Sequence, residues 1–461
     1  MVDCDGGLAS SSVEGVTKRP KWIKSCGRLQ YLQEVPLVRF DRLFRLMCGM
    51  ALTSTVLACS EEPTPTPQVD AGVTVPSTPT WHDDVAPVLA AHCQRCHDDG
   101  GIAPFPLMTY AQSKPMASAI AASTAARRMP PFLADNSGDC NLWRDANWLT
   151  NADLEILARW AATGAEEGAQ KAAPVPPSLP SINNPDLTVQ MPDVYTPNDE
   201  LTDDYRCFVL DPQLDRPRYV TAYEVVPGDS RVVHHVILYS PRDADAEAQA
   251  EAKSGEGGRP GYSCYGGAGV PSSMIAAWAP GTGATAFPEG TGLGLRAGGK
   301  LVMQIHYNLA SGAFPDQTSI KLSLADQVDN PGIMSVLGNN ELNIPPGDGD
   351  FVTSKEVDVR AAGGRMPLQL WGVLPHMHEI GTKYRLERVR GGDTMCLMDV
   401  PRWDFNWQLG YFLSEPIDLL PTDVLRTTCH FDSRSRTEPT RFGEDTTDEM
   451  CLALVYLTRA P

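Results

Sequence analysis

The chain has 461 residues, which is enough for about three domains, and its 42% hydrophobic content is enough to build their cores. The formal net charge of −19 argues against nucleic-acid binding, because phosphate contacts need a concentrated basic surface and the sequence has none. Its 12 cysteines are too few for a small disulfide scaffold, but they are more than an exported protein would leave unpaired.

The N-terminal part indicates export. Residues 38–59 combine three arginines, a short apolar run and small residues before Cys59, which is typical of a secretory signal peptide; the alternative is an internal apolar helix. The letters VLAC resemble a bacterial lipoprotein signal, which implies that Cys59 is lipidated and tethers the chain to a membrane. Residues 1–37 are interpreted as an extension from a start codon placed too far upstream. The expected location is the bacterial periplasm or cell surface, with the outer membrane as the expected anchor.

A small all-α domain is predicted over residues 81–170, after a Pro/Thr-rich linker at 60–80. Thr80, followed by Asp83, is a predicted helix N-cap with an acid at the third position. Thr150 with Asp153 repeats this pattern before an amphipathic helix.

The sequence HCQRCH within this block indicates covalent haem. Cys93, Cys96 and His97 form C-x-x-C-H, the attachment signature of c-type haem. Two thiols one helical turn apart reach the two vinyl groups on one porphyrin edge, and the histidine then lies under the iron. A thioredoxin-like pair would need a strand–helix context, and a zinc site would need a second pair of ligands nearby.

Met129 in RRMPPF is the predicted sixth ligand of the haem iron. It follows the attachment site by about thirty residues, and the two prolines after it restrict the backbone. A thioether ligand would favour reduced iron and raise the potential. Met108 and Met116 remain alternatives. The block resembles small bacterial cytochrome c domains that are fused to redox enzymes.

The rest of the chain is predicted to be all-β. A second Pro-rich linker covers 171–185, and short apolar runs with frequent glycine and proline follow it. The predicted fold class is therefore multidomain, with a small all-α cytochrome c domain before two all-β, jelly-roll-like sandwich domains over 186–325 and 326–461.

Three motifs in this β-rich part place histidines on predicted strands: VVHHVIL, VMQIHYNL and LPHMHEIG. His376 and His378 lie two apart, so both point to one face of a strand and can bind one metal ion. His234 and His235 are adjacent, so they reach one ion only at a bulge or a strand end. His306, in an alternating apolar run, could complete that site from a neighbouring strand.

Met450 in TDEMCLAL adds a sulfur ligand. Imidazole alone suits zinc, copper, nickel or iron, whereas a thioether selects Cu(I). The residues thus favour two metal sites, one with three histidines and one with two histidines and a methionine. His82, His92 and His430 are expected to be structural or solvated.

The motif order HH, QIHY, HMH and EMC resembles the copper type II, ascorbate-dependent monooxygenases, the family of peptidylglycine α-hydroxylating and dopamine β-monooxygenases, over residues 186–461. The resemblance implies two copper ions, with O₂ as co-substrate. It assigns an electron-transfer copper to His234, His235 and His306. It assigns the catalytic copper, where O₂ binds, to His376, His378 and Met450.

Further residues follow from the resemblance. Gln304 matches the family's MQxHY sequence and is assigned a place around the ligands. The family's disulfides imply two pairs, Cys207–Cys264 and Cys429–Cys451. Cys140 and Cys396 have no assigned partner, and they either pair with each other or stay free.

One departure affects the substrate. Leu374, Leu452 and Leu454 stand where the peptide hydroxylase has an arginine, an asparagine and a tyrosine. The anchors for a peptide C-terminus are therefore missing, and the resemblance implies C–H hydroxylation of an unknown small, rather apolar substrate. Electrons would come through the haem domain from a periplasmic donor, in place of or alongside ascorbate. The competing hypothesis is a non-enzymatic copper–haem lipoprotein for electron transfer or copper binding.

Overall fold

The structure of the protein is a computed structural model that describes residues 74–101, 103–443 and 447–460. The upstream extension, the signal peptide with Cys59 and most of the 60–80 linker lie outside the described residues. In the part that is described, no helix is both long and apolar enough to cross a membrane.

Residues 81–162 form a helical block. A π-helical turn at Trp81–Val85 leads into four described α-helices: α1 (Ala86–His92), α2 (Tyr110–Ser113), α3 (Ala117–Ala125) and α4 (Asn151–Ala162), with a 3₁₀ turn at Lys114–Met116 between α2 and α3. The predicted capping of α4 is confirmed, because Thr150 and Asp153 form a reciprocal capping box. Thr80 lies at the predicted N-cap position, but its side chain caps no backbone amide: its hydroxyl donates to Asp83, and its amide donates to Asp84.

The core of the helical block is small and apolar. The α4 side chains Leu157 and Trp160 are fully buried against Val85 and Leu89, because apolar residues recur at helical spacing on both segments. The indole of Trp160 also donates to the carbonyl of Glu166, so the chain after α4 folds back onto the block.

The first β-sandwich contains ten strands, with helix α5 (Ala244–Lys253) between the fourth and fifth. The strands are β1 (Leu187–Gln190), β2 (Asp203–Leu210), β3 (Arg218–Val226), β4 (Val233–Pro241), β5 (Tyr262–Ser263), β6 (Ser272–Trp278), β7 (Thr285–Ala286), β8 (Thr291–Leu295), β9 (Leu301–Asn308) and β10 (Ser319–Ala325). One sheet has the order β5-β2-β9-β4-β6. β1, β10, β3, β8 and β7 form the facing layer, and the apolar core lies between the two layers.

The second β-sandwich follows the same plan, with the short helix α6 (Arg360–Gly363) between its third and fourth strands. Its strands are β11 (Asn330–Asn339), β12 (Asn343–Ile344), β13 (Phe351–Asp358), β14 (Leu368–His376), β15 (Gly381–Arg390), β16 (Asp393–Val400), β17 (Tyr411–Leu419), β18 (Val424–Phe431), β19 (Thr440–Arg441) and β20 (Cys451–Arg459). The sheet β13-β18-β15-β16 packs on β11-β20-β14-β17.

Strand β11 joins the two sandwiches. Its first residues pair in parallel with β8, and its remaining residues pair antiparallel with β20, so one nine-stranded sheet runs through both. The predicted all-β character of this part is confirmed. Because the sheet is continuous, the sandwiches share backbone hydrogen bonds as well as a short connection.

The Pro-rich segment 171–185 has no regular secondary structure, as its composition predicts. It is nevertheless docked onto the first sandwich, since the carbonyl of Pro180 accepts from Ala284 and the amide of Ile182 donates to Glu224. It therefore acts as a fixed connection between the helical block and the β-rich part.

Three disulfides are present among the described residues. Cys207–Cys264 and Cys429–Cys451 form as the resemblance implies. Cys140 and Cys396 pair with each other, which decides the alternative that the sequence left open. This third bond links the chain after α3 to β16 of the second sandwich, across 256 positions of sequence.

Candidate copper sites and haem site

A β-bulge in β4 brings His234 and His235 to one place. In the ladder with β9, Val233 pairs with Tyr307 and His235 pairs with His306, so His234 is the extra residue on β4. A bulge turns two adjacent side chains toward the same side, which a regular strand does not allow. The sequence predicted that both imidazoles can reach one ion only at a bulge or a strand end, and the bulge at His234 meets this requirement.

The rings of His234, His235 and His306 form a cluster whose potential ligand atoms all lie within 4.8 Å of one another. The Nδ1 atoms of His235 and His306 are 3.2 Å apart, a separation expected for two ligands each about 2 Å from one ion. The opposite nitrogen of His306, Nε2, donates to Asp203 Oδ1 at 2.7 Å. The ring of Tyr205 stacks on His306 with centroids 4.2 Å apart. These two contacts fix the His306 ring with Nδ1 facing the cluster.

Burial keeps the imidazoles of His234 and His235 neutral, which is the form that binds metal. Burial, with the nearby His306, lowers the pKa of His234 to about 4. The pKa of His235 lies well below its usual value, mainly because the ring is buried and then because of neighbouring histidines. The His234 Nδ1 is buried and has no hydrogen-bond partner among the described residues. A buried nitrogen without a partner is costly, and a copper ion would satisfy it, so the cluster fits the metal.

The second predicted set lies where β14 ends and β20 begins. His376 is the last residue of β14 and pairs with Leu452, and Met450 directly precedes β20. The rings of His376 and His378 have centroids 5.1 Å apart. The His378 ring nitrogen Nδ1 donates to the carbonyl of Asp448, two residues before Met450. The structure therefore brings the two histidines and the buried methionine to the same end of the sheet.

Glu449 braces this end of the sheet. Its fully buried carboxylate accepts the backbone amides of His378, Ile380 and Met450 at 2.8 to 3.1 Å. Burial raises the pKa of this carboxyl to about 7. One side chain thus ties the turn that carries the H-x-H pair to the residue that carries the sulfur.

Gln408 orients the imidazole ring of His376. The His376 Nδ1 donates to Gln408 Oε1 at 2.5 Å, and the amide nitrogen of Gln408 is itself held by the carbonyl of Phe405. This leaves Nε2 of His376 as the ligand atom. Burial, with the nearby His378, lowers the pKa of His376 to about 4, so this imidazole is also neutral.

The haem motif lies at the end of α1. Cys93 and Cys96 are free, whereas the other described cysteines form the three disulfides. The His97 Nδ1 donates to the carbonyl of Phe105 at 2.9 Å, which directs Nε2 away from that contact and makes it the candidate iron ligand. Free thiols and an oriented imidazole fit a c-type haem.

A cavity of about 930 Å³ adjoins this motif, within the ~300–1,000 Å³ that cofactor and ligand pockets occupy. Cys93, Cys96 and His97 line it, and so does Met129, the predicted sixth ligand. Met116, one of the alternatives, also lines the cavity, whereas Met108 does not.

Other predicted residues have simpler environments. The Gln304 amide donates to the carbonyl of Gly267 and contacts Cys264 Sγ, so its hydrogen bonds are with the disulfide loop and not with an imidazole. His92 contacts Asn147, and His430 contacts Asp350. His82 lies 3.6 Å from Glu167, so all three remaining histidines have local polar neighbours outside the copper clusters.

Three residues that position the candidate ligands were not predicted from the sequence. Glu449 could have been found, because it is adjacent to the candidate ligand Met450 in DEMC. Asp203 lies two residues before Tyr205 in DDYRC, and nothing in that order relates it to His306, 103 positions later. Gln408 lies in the loop between β16 and β17, 32 positions after His376, and carries no motif.

Replacing Gln408 with alanine is expected to weaken copper binding at the second site. Loss of a partner that orients a ligating histidine costs roughly 10–100-fold in metal affinity. Gln408→Glu retains the acceptor oxygen and should lose much less. Competition with a Cu(I) chelator measures the affinity, and Gln369→Ala, on the far part of β14, is the matched control. An unchanged affinity in Gln408→Ala would show that His376 does not depend on this contact.

The described β-rich part matches two family models. Residues 187–313 match the copper type II ascorbate-dependent monooxygenase, N-terminal domain, and residues 330–459 match the C-terminal domain of the same family. The junction between the two matches falls at the start of β11, where the sheet passes from one sandwich to the other.

Curated relatives have moderate identity. Tyramine beta-hydroxylase of Caenorhabditis briggsae is 28% identical over 287 residues, 56% of this chain and 46% of that protein. DBH-like monooxygenase protein 1 of Gallus gallus is 26% identical, covering 63% and 49%. Peptidyl-glycine alpha-amidating monooxygenase A of Xenopus laevis is 27% identical, covering 61% and 29%. The chain thus spans about half or less of the length of these relatives.

Among solved structures, the major capsid protein P2 from bacteriophage PM2 aligns with a TM-score of 0.24 and 9% identity, over 59% of this chain and 97% of that one, which establishes no shared fold. The two family matches together cover more than half of the 461 residues and contain both histidine sets. The chain therefore belongs to the copper type II ascorbate-dependent monooxygenase family.

Proposed function

We propose that the protein is a copper-dependent monooxygenase that uses O₂ to hydroxylate a C–H bond of a small, rather apolar substrate. The observation that carries the proposal is the proximity of the two sets of side chains. The ring of Trp407 lies 6.1 Å from the ring of His234 in the first set, while its neighbour Gln408 accepts a hydrogen bond from His376 in the second.

The residues would divide the work between two copper ions. Hydroxylation places one oxygen atom of O₂ on the substrate and reduces the other to water, so it consumes two electrons and two protons. Copper at both sites would supply one-electron storage, with O₂ activation at the second. Met450 provides the soft ligand that favours Cu(I), and the all-imidazole set of His234, His235 and His306 provides the first site.

The proposed substrate class follows from the face of the sheet around His376. Leu374 lies two residues before His376 on β14, so both point to the same side. Leu452 is paired with His376, and Leu454 is paired with Leu374, so they share that side. Three leucines beside the ligand offer no partner for a carboxylate, which favours a substrate without one.

Electron delivery is proposed to involve the fused haem block, in place of or alongside ascorbate. Support comes from the free Cys93 and Cys96, the oriented His97 and the cavity beside them. The donor is proposed to be a periplasmic one-electron carrier, and the chain is proposed to be tethered by lipid at Cys59. The three disulfides support an oxidising compartment.

The test is O₂ consumption by purified, copper-loaded full-length protein with ascorbate. We expect neutral arylalkyl or alkyl compounds to accelerate consumption and to yield a product that carries oxygen from labelled O₂. A peptide ending in glycine should not accelerate it.

The competing hypothesis, a copper–haem protein without catalysis, predicts a different result. Copper and haem would be reduced and reoxidised, but no compound in a broad panel would acquire labelled oxygen. That result would overturn the proposed hydroxylation.

A further inference from the structure

The cavity beside the haem motif is shared by all three parts of the protein. Cys93, Cys96 and His97 line it from the helical block. His234, a ligand of the proposed first copper site, lines it from the first sandwich, and Trp407 lines it from the second. The space that would hold the haem therefore reaches the ring of a copper ligand.

The helical block is fixed in this position. The Cys140–Cys396 disulfide attaches the segment after α3 to β16, and the amide of Arg144 donates to the carbonyl of Phe412 at 2.8 Å. Trp143 is buried in the core of the second sandwich. The haem motif and the copper ligands thus have a set separation, and no diffusional docking step is needed to bring them together.

Cys96, one of the two attachment cysteines, lies directly against the first sandwich. The guanidinium of Arg95 is 3.4 Å from the carbonyl of Gly281. A Cβ at Gly281 would lie 2.9 Å from Cys96 Sγ, and the positive φ of this residue also favours glycine. The close approach depends on the absence of a side chain at that position.

Trp407 is an aromatic side chain that lies beside both this cavity and the first copper site. The residue lines the cavity, and its ring lies 6.1 Å from the ring of His234. It also packs against the core of the second sandwich, which holds the ring in place. The backbone amide of Trp407 donates to the carbonyl of Asp404, so the loop around it is ordered by its own hydrogen bonds.

We infer that Trp407 conducts electrons from a haem bound at Cys93, Cys96 and His97 to copper bound by the three-histidine cluster, which makes that cluster the entry point for electrons. The inference rests on the proposed function for the presence of haem and copper. Each transfer oxidises one ferrous haem to ferric haem and reduces one cupric ion to the cuprous state. No bond forms or breaks, and the haem is reduced again by the periplasmic donor or by ascorbate.

Pulse radiolysis of the full-length protein without O₂ tests the inference. A pulse reduces the haem, and its absorbance then reports reoxidation, while the copper EPR signal reports loss of Cu(II). We expect fast reoxidation only in copper-loaded protein, and slower reoxidation in Trp407→Leu, because this change removes the aromatic ring beside His234.

Variants separate the aromatic contact from folding and from the second site. Trp407→Phe keeps a ring and should react at close to the wild-type rate. Trp148→Leu is the matched control, because this tryptophan contacts Arg127 and Phe132 but does not line the cavity. His306→Ala should abolish haem reoxidation, whereas Met450→Ile should retain it.

Several results would overturn the inference: a purified chain without haem, reoxidation that is independent of copper, or a wild-type rate in Trp407→Leu. Loss of reoxidation in Met450→Ile together with its retention in His306→Ala would make the second site the entry point. Failure of the proposed function appears in a different assay, as absence of labelled product with ascorbate, and it leaves the haem-to-copper rates measurable.

Discussion

Replacing Met450 with isoleucine is expected to reduce substrate-dependent O₂ consumption by more than about 100-fold. Isoleucine has a similar volume and is apolar, so the packing before β20 is largely preserved. It has no lone pair to bind copper, however, and the second site keeps only His376 and His378. An O₂ electrode measures the rate with ascorbate and the substrate found in the panel, and chelator competition measures Cu(I) affinity.

Met398→Ile is the matched control for this variant. Met398 is a fully buried methionine on β16 in the core of the same sandwich, and such a volume-conserving exchange usually costs less than about 1.5 kcal/mol. We expect it to retain both activity and copper. If Met450→Ile and Met398→Ile were equally active, Met450 would not be a ligand and the proposed second site would be wrong.

Replacing Glu449 with alanine is expected to destabilise the second sandwich by about 3 kcal/mol or more, since it leaves three buried amides without an acceptor at about 1–3 kcal/mol each. The affected amides are those of His378, Ile380 and Met450. Because these bonds tie the H-x-H turn to the sulfur ligand, copper at this site should be lost together with the stability.

Differential scanning calorimetry and copper analysis of the same samples measure both effects. Glu449→Gln keeps one carbonyl oxygen of the right size and should lose less stability than the alanine variant. Glu415→Ala, at an exposed position on β17, should leave the melting temperature unchanged. If the Glu449→Ala protein had the melting temperature of the wild type and bound both copper ions, the three amides would have found other acceptors.

Short-range features of the site could be predicted in part because strand and helix geometry are local. The rings of His376 and His378 lie close together, as H-x-H predicts, but His378 lies beyond the end of β14, so the predicted alternation along one strand does not extend to it. Thr150 caps α4 because cap and acid lie three residues apart. At Thr80 the same pattern predicts the N-cap position correctly, but the hydroxyl donates to Asp83 and so caps no backbone amide.

Whether His234 and His235 can bind one ion could not be predicted from the sequence alone. His234 and His235 had to lie at a bulge or a strand end, but a bulge exists only relative to a partner strand. The ladder of β4 with β9 decides it, by pairing Val233 with Tyr307 and His235 with His306. The register of two strands about seventy residues apart thus determines whether these imidazoles can share an ion.

By itself, the sequence determined the ligand types, their order and the all-β character of the larger part. Only the tertiary structure decided which groups hold those ligands: Asp203 on His306, Gln408 on His376, and Glu449 across three amides. It also decided the pairing of Cys140 with Cys396, and with it the position of the haem motif beside Trp407. The physical reason is that these contacts join strands and loops that are distant in sequence. Their proximity depends on the path of the whole chain, and the local periodicity of the sequence does not encode it.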